Sequence, residues 1–355
     1  MQKGHMLTIS CVALALILGC DKTETIGPRP VGSTSTDQGW LVPKNLVIDG
    51  GPGKDGIPSV DKPTFVVASE VDYLPAEDLV IVIKMKGQVR AYPHDILDWH
   101  EIVNDRLGGV PFAITYCPLT GTGVAWDRLV QGIETTFGVS GLLYNSNLMP
   151  YDRYTESTWS QQRLDCVNGT LLGAPIPTYE IVETSFSSFR TTYPEGEVMS
   201  TDTGFDRPYG DYPYGRYLQH DELLFPVTRR DDRLPLKERT LGVLIGKEGR
   251  RVYQFSQTSS NIEMSRDTLN GQALILVRSN EHNLLVAFGD DGRSLALADD
   301  PFPAILEDEE GQTYDFMGLP LDDSSDASSL YLPNQFIGYW FSWGTFYSGI
   351  EISSW

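Results

Sequence analysis

Cys117 and His100 are the side chains of this sequence best suited to chemistry near neutral pH. A thiolate is both a nucleophile and a soft metal ligand, and a neutral imidazole can move a proton or ligate a metal. The two lie in Trp99-His100-Glu101-Ile102-Val103-Asn104-Asp105 and Tyr116-Cys117-Pro118-Leu119-Thr120-Gly121-Thr122-Gly123, an expected helix followed by a strand. The intervening Gly108-Gly109-Val110-Pro111 turn can fold one segment back beside the other. Two chemistries suit such a pair. A copper or zinc ion could be held by Cys117 and His100, with Glu101 or a pocket residue completing the set. Alternatively, Cys117 is the nucleophile of a hydrolase or transferase and His100 its base, with backbone N–H groups around Pro118, Gly121 and Gly123 serving a developing oxyanion. The competing readings are an inert buried cysteine, a Cys117–Cys166 disulfide and a structural histidine.

A third reading needs no reaction. Phe137 to Asn147 and Tyr151 to Gln161 are dense in polar and aromatic residues, which suits the wall of a polar ligand pocket as well as a β-hairpin. Glu101, Thr120, Arg128, Asn145, Asn147, Arg153, Trp159 and Gln161 are the candidate ligand-binding residues of an envelope protein that binds a glycan or peptide. Other features are weaker. Asp49 to Gly56 lacks the acidic spacing of a calcium loop, and Tyr209 to Tyr217 fits an ordered linker over a module interface. His94, His220 and His282 show no ligand spacing, and no nucleophile elbow, zincin helix, P-loop or dinucleotide fingerprint is present.

The elements that must position these residues are organised by a repeat. Val89-Arg90-Ala91-Tyr92 matches Arg250-Arg251-Val252-Tyr253, and Asp105-Arg106-Leu107-Gly108-Gly109 matches Asp267-Thr268-Leu269-Asn270-Gly271. Phe186, Ser188, Phe189, Thr191, Tyr193 and Glu197 recur as Trp340, Ser342, Trp343, Thr345, Tyr347 and Glu351. Residues 40–200 are therefore expected to form one module, 201–240 a linker and 241–355 a second, degenerate copy. Positions shared by both copies are most simply scaffold. His100 has no counterpart near Ser260 to Glu263, and Cys117 falls opposite Ser279, so the first copy concentrates the reactive groups.

Short apolar runs broken by Gly, Pro, Asn and Asp predict a mainly β (α+β) fold of two similar modules packed side by side. Leu79 to Lys84 and Ala113 to Tyr116 read as strands. Ser185 to Tyr193 spaces its aromatics for a short helix, and His94 to Asn104 reads as another.

The amino terminus reads as an address. Lys3 precedes the apolar stretch Leu7 to Leu18, too short to span a bilayer, and Ile17-Leu18-Gly19-Cys20 resembles the lipobox of bacterial lipoproteins. That likeness implies a signal peptide over 1–19, lipid on Cys20, a flexible tether to residue 39 and an extracytoplasmic body on a bacterial envelope membrane. With Cys11 in the signal and Cys20 at the anchor, Cys117 and Cys166 remain of the four cysteines. A net charge of −21 speaks against nucleic acid as a partner, because phosphate binding needs a basic face.

The runs AYPHDILDWHEIVND, TYCPLTGTGVAWDR, FGVSGLLYNSNL and YDRYTESTWSQ, with the PYG near Tyr214, resemble the family called domain of unknown function 3179, from about residue 45 to the end. The resemblance implies an exported or envelope-associated prokaryotic protein with no established activity. Many relatives carry a second cysteine where this chain has Thr120, giving Cys-Pro-Leu-Cys. Cys117 alone cannot close such a pair.

Overall fold

The computed structural model describes residues 39–255, 261–322 and 328–353; the expected signal peptide, Cys20 and tether lie outside them. In the first half the chain runs β1 (Leu79–Met85), β2 (Gln88–Pro93), α1 (His94–His100), β3 (Ile102–Leu107), β4 (Val110–Cys117) and β5 (Thr122–Asp127). Four strands follow, β6 (Phe137–Tyr144), β7 (Asn147–Asp152), β8 (Thr158–Ser160) and β9 (Asp165–Asn168), then β10 (Ile181–Ser185), α2 (Phe186–Thr192) and β11 (Glu197–Met199). The second half holds β12 (Arg239–Ile245), β13 (Gly249–Gln254), β14 (Glu263–Leu269), β15 (Gln272–Ser279), β16 (Leu284–Gly289), β17 (Asn334–Tyr339), α3 (Trp340–Phe346) and β18 (Glu351–Ser353). The chain is mostly β, as its broken apolar runs predict.

The halves share one pairing order. The hairpin β1–β2 is flanked by antiparallel β10 and parallel β11, and the hairpin β12–β13 by antiparallel β17 and parallel β18. Each half also carries an antiparallel meander, β3–β4–β5 or β14–β15–β16. The residues common to both halves do scaffold work. Arg90 bonds Asp105 and Glu197 while Tyr92 donates to Asp105, and Arg251 bonds Asp267 and Glu351 while Tyr253 donates to Asp267. After its meander the first half carries the sheet β6–β9, and the second half a smaller antiparallel sheet of three two-residue strands, Ala296–Leu297, Leu306–Glu307 and Thr313–Tyr314.

The cores of the two halves interlock. Strand neighbours point to opposite faces, and on β1 both faces are covered. Ile81 and Ile83 join Phe112 and Ile114 inside the first half, whereas Val80 and Val82 join Val277, Leu284 and Phe288 of the second. A strand buried on both faces reads as a continuous apolar run, which is why Leu79 to Ile83 shows no alternation. Trp126 and Phe137 likewise share a core with Phe336, Trp340 and Trp343. The segment 201–238 crosses between the halves.

The helix expected over His94 to Asn104 is shorter. Pro93, fixed near φ −65°, opens α1, and Glu101 closes it in the left-handed region at φ 57°. Ile102 to Asn104 then belong to β3.

Candidate functional site

Cys117 and His100 are not brought together as a site. Tyr116 and Cys117 are consecutive on β4, so they face opposite ways. The Cys117 side chain enters the core around Trp126, is 1 % exposed, and its thiol points to the Ser146 carbonyl at 3.6 Å. Burial, then the nearby Glu101 carboxylate, push the thiol up to about 11 against hydrogen bonds from Thr120 and Leu148. A thiolate nucleophile needs the reverse. Both His100 nitrogens are occupied, Nδ1 by the Pro58 carbonyl at 2.8 Å and Nε2 by the Tyr209 hydroxyl at 2.7 Å. Cys166 is buried and free, as is Cys117, so the disulfide alternative is absent. Among the described residues no group of three or more His, Cys, Asp or Glu side chains is placed to hold a copper, zinc or other metal ion.

The polar residues of the expected pocket wall are structural. Asn147 Nδ2 donates to Thr120 Oγ1 at 3.0 Å and Gln161 Oε1 at 2.7 Å, and Gln161 Nε2 donates to the Thr115 and Thr122 carbonyls at 2.9 and 3.0 Å. This network lies wholly inside the protein. Arg128 clamps the Thr135 and Asp105 carbonyls, and Arg153 ties Asp55, Ser59 and Asp61 to β6. Asn145 turns the chain at φ 54° and accepts from Thr228 N, while Trp159 packs in the core and donates to Asp152. Most of these partners come from the first half itself, and the 201–238 segment reaches Asn145 through Thr228.

Glu101 is also covered. The aromatic segment Tyr209 to Tyr217 straps α1 and the turn after β4, with Tyr214 donating to Glu101 at 3.0 Å, Tyr212 to the Pro118 carbonyl and Tyr217 to the Leu119 carbonyl. Burial raises Glu101 to about 7, with the Tyr214 bond opposing. The folded protein thus keeps a proton that the unfolded chain, near 4.5, gives up. Stability present below pH 4.5 is lost as pH rises toward 7. Glu101→Gln keeps an acceptor for Tyr214 and should stabilise the protein by about 2–3 kcal/mol at pH 8 and by almost nothing at pH 4. Urea unfolding at both pH values checks this; an equal effect at the two would contradict it.

The convergent polar groups lie elsewhere, in a cleft of about 240 Å³ between the halves. Helical spacing puts His94, Asp95 and Asp98 of α1 at its wall together with Asp78, Tyr116 and Glu183. The second half supplies Arg239, first residue of β12, and its cross-strand partner Tyr339, last of β17. Gly121, at φ 59°, leaves room for the Tyr339 ring, which comes within 2.8 Å of where a Cβ would stand. The Tyr339 N–H donates to the Thr120 carbonyl at 2.8 Å, joining the halves there.

A polar chain runs through this cleft. The Tyr116 hydroxyl lies 3.2 Å from His94 Nδ1, His94 Nε2 lies 3.2 Å from Glu183 Oε2, and Arg239 pairs with Glu183 Oε1. Burial would raise Glu183, but attraction to His94 and then Arg239, with hydrogen bonds from both, holds it at about 2. Burial, then Asp98, keeps the Tyr116 phenol far above its usual range, so it stays protonated beside His94. Opposite this chain, Asp78 Oδ2 and Asp98 Oδ1 are buried without a hydrogen-bond partner. Burial, then Asp95, raises Asp78 to about 6 and Asp98 well above the carboxylate range. Such an arrangement can bind and orient a polar ligand and hold a proton at Tyr116.

Sequence reasoning passed over His94, yet a signal existed. The 161-residue offset that pairs Tyr92 with Tyr253 puts Phe255 opposite His94, so this histidine too belongs to one copy only.

Fold and site together define a β-rich protein of two interlocked halves with a polar cleft at their junction. Residues 54–349 match the family model described as "Protein of unknown function (DUF3179)", and the chain belongs to that family. No curated protein and no solved structure matches the chain.

Proposed function

We propose that this is an extracytoplasmic, lipid-anchored protein that binds a small polar ligand in the cleft between its halves, and that the halves arose by duplication. The observation that supports binding is the meeting of His94, Glu183 and Arg239 with two unpartnered buried carboxylate oxygens in one open cleft. Unpaired buried acceptors cost stability, and a ligand that satisfies them repays a site kept in that state. At about 240 Å³ the cleft is smaller than the roughly 300–1,000 Å³ of drug-sized pockets, so the ligand is small.

A thermal-shift screen of small polar metabolites tests this reading. At least one compound should raise the melting temperature of the wild type and of Cys117→Ser, and fail to do so in His94→Gln. Stabilisation lost in Cys117→Ser and kept in His94→Gln would move the site back to the thiol. For the anchor, Cys20→Ser should shift the protein from the membrane to the aqueous fraction, whereas an unchanged membrane fraction would remove the lipid from the proposal.

A further inference from the structure

We propose that the cleft takes a small organic ammonium ion, seated between the carboxylates of Asp78 and Asp98 and the rings of Tyr116, Tyr212 and Tyr339. This rests on the cleft being a ligand site and adds the chemical class of the ligand.

Charge is the first argument. The Arg239 guanidinium at this wall is committed to Glu183 and to Asn283, at 2.7 Å from the latter. Asp98 and Asp78 are half-buried at the wall; Asp98 Oδ1 and Asp78 Oδ2 meet no donor, and Asp78 is otherwise paired with the Asp95 carboxyl. An unmatched buried acceptor costs about 1–3 kcal/mol, and more when charged. An ammonium group in the cleft would bring donors and positive charge to these carboxylates.

Ring chemistry is the second argument. Three tyrosine rings line the same space, and aromatic faces attract ammonium groups, worth about 0.5–2 kcal/mol each depending on desolvation. A neutral or anionic ligand would gain little from that combination. The third argument is spacing: among the described residues no trio of His, Cys, Asp or Glu converges closely enough for a metal ion, so the carboxylates suit a bulkier cation.

The titration follows from the same geometry. Asp98 faces Asp95 and Glu101 and the phenols of Tyr116, Tyr212 and Tyr339, while Asp78 faces Asp95 and Glu77, with His94 opposing. Burial and these like charges favour protonated carboxyls, Asp78 near pH 6. A bound cation favours the ionised forms. Binding therefore releases protons and tightens as pH rises through this range.

Calorimetric titration of the full-length protein with choline and with putrescine tests the inference, with 3,3-dimethylbutan-1-ol as the neutral isostere of choline. At least one cation should bind at pH 7.5, at least tenfold more weakly at pH 5, with a heat that depends on the buffer's ionisation enthalpy. Asp98→Asn should weaken binding tenfold or more, and Asp78→Asn carries the same test through a second residue. Equal binding of the neutral isostere, indifference to both substitutions, binding of neither cation, or stoichiometric zinc at these carboxylates would each overturn the proposal. A neutral sugar or a carboxylate that binds with His94→Gln-sensitive affinity would leave the cleft a ligand site and remove only the ammonium assignment.

Discussion

Arg239→Met should lower the stability of the protein by about 3 kcal/mol at pH 8, because it leaves the buried Glu183 carboxylate with His94 alone beside it. The Glu183 side chain is 6 % exposed and Arg239 is 25 % exposed, so the carboxylate stays buried when the guanidinium is removed. The variant also gives up the bond to Asn283 and the contact with the Phe255 ring, 4.5 Å from the Arg239 guanidinium carbon. In the wild type the folded-state Glu183 sits near 2, below its ordinary 4.5. Its contribution is therefore fully present above pH 4.5 and lost as pH falls toward 2. Without Arg239 the carboxyl takes up a proton at higher pH, so the gap between variant and wild type should narrow at pH 5. Urea unfolding at both pH values measures this, and adding Glu183→Gln to Arg239→Met should recover most of the loss. A deficit below about 1 kcal/mol at pH 8 would mean that this contact does not clamp the halves together.

Gln161→Leu should be comparably harmful for a different reason. Its amide meets five groups: the Thr115 carbonyl and hydroxyl, the Thr122 carbonyl and hydroxyl, and Asn147 Nδ2. Leucine of similar size removes all five contacts in a place that water does not reach. The remaining donors retain partial partners through Thr120, so about 3 kcal/mol is expected rather than the sum of five bonds. Chemical denaturation should show this loss, with ligand binding at the cleft intact in the folded fraction. Lost binding without lost stability would restore the pocket-wall reading of β6–β8.

The same residues explain what could be read from sequence. Leu79 to Ile83 and Ala113 to Tyr116 are strands buried on both faces, and such strands announce themselves as apolar runs. Phe186 and Phe189, one helical turn apart, marked α2. The end of α1 was illegible, because the apolar period continues through Ile102 while the left-handed backbone at Glu101 diverts the chain into β3. Cys117 looked available because one strand's sequence cannot say that a second half and an aromatic strap cover it. His94 looked isolated because Tyr116, Glu183 and Arg239 reach it from distant strands, one of them in the other half. Sulfur chemistry is conspicuous in a sequence; a site assembled from common carboxylates and phenols is conspicuous only in three dimensions.

Diffraction from crystals soaked with small polar fragments, amines among them, tests the central claim most directly. Bound fragments should collect between His94, Asp98 and Arg239, in contact with Tyr339, and the same soak of His94→Gln crystals should show weaker occupancy there. Fragments gathered instead beside Cys117 or along β6–β8, with none at His94, would contradict the assignment of the cleft as the functional site.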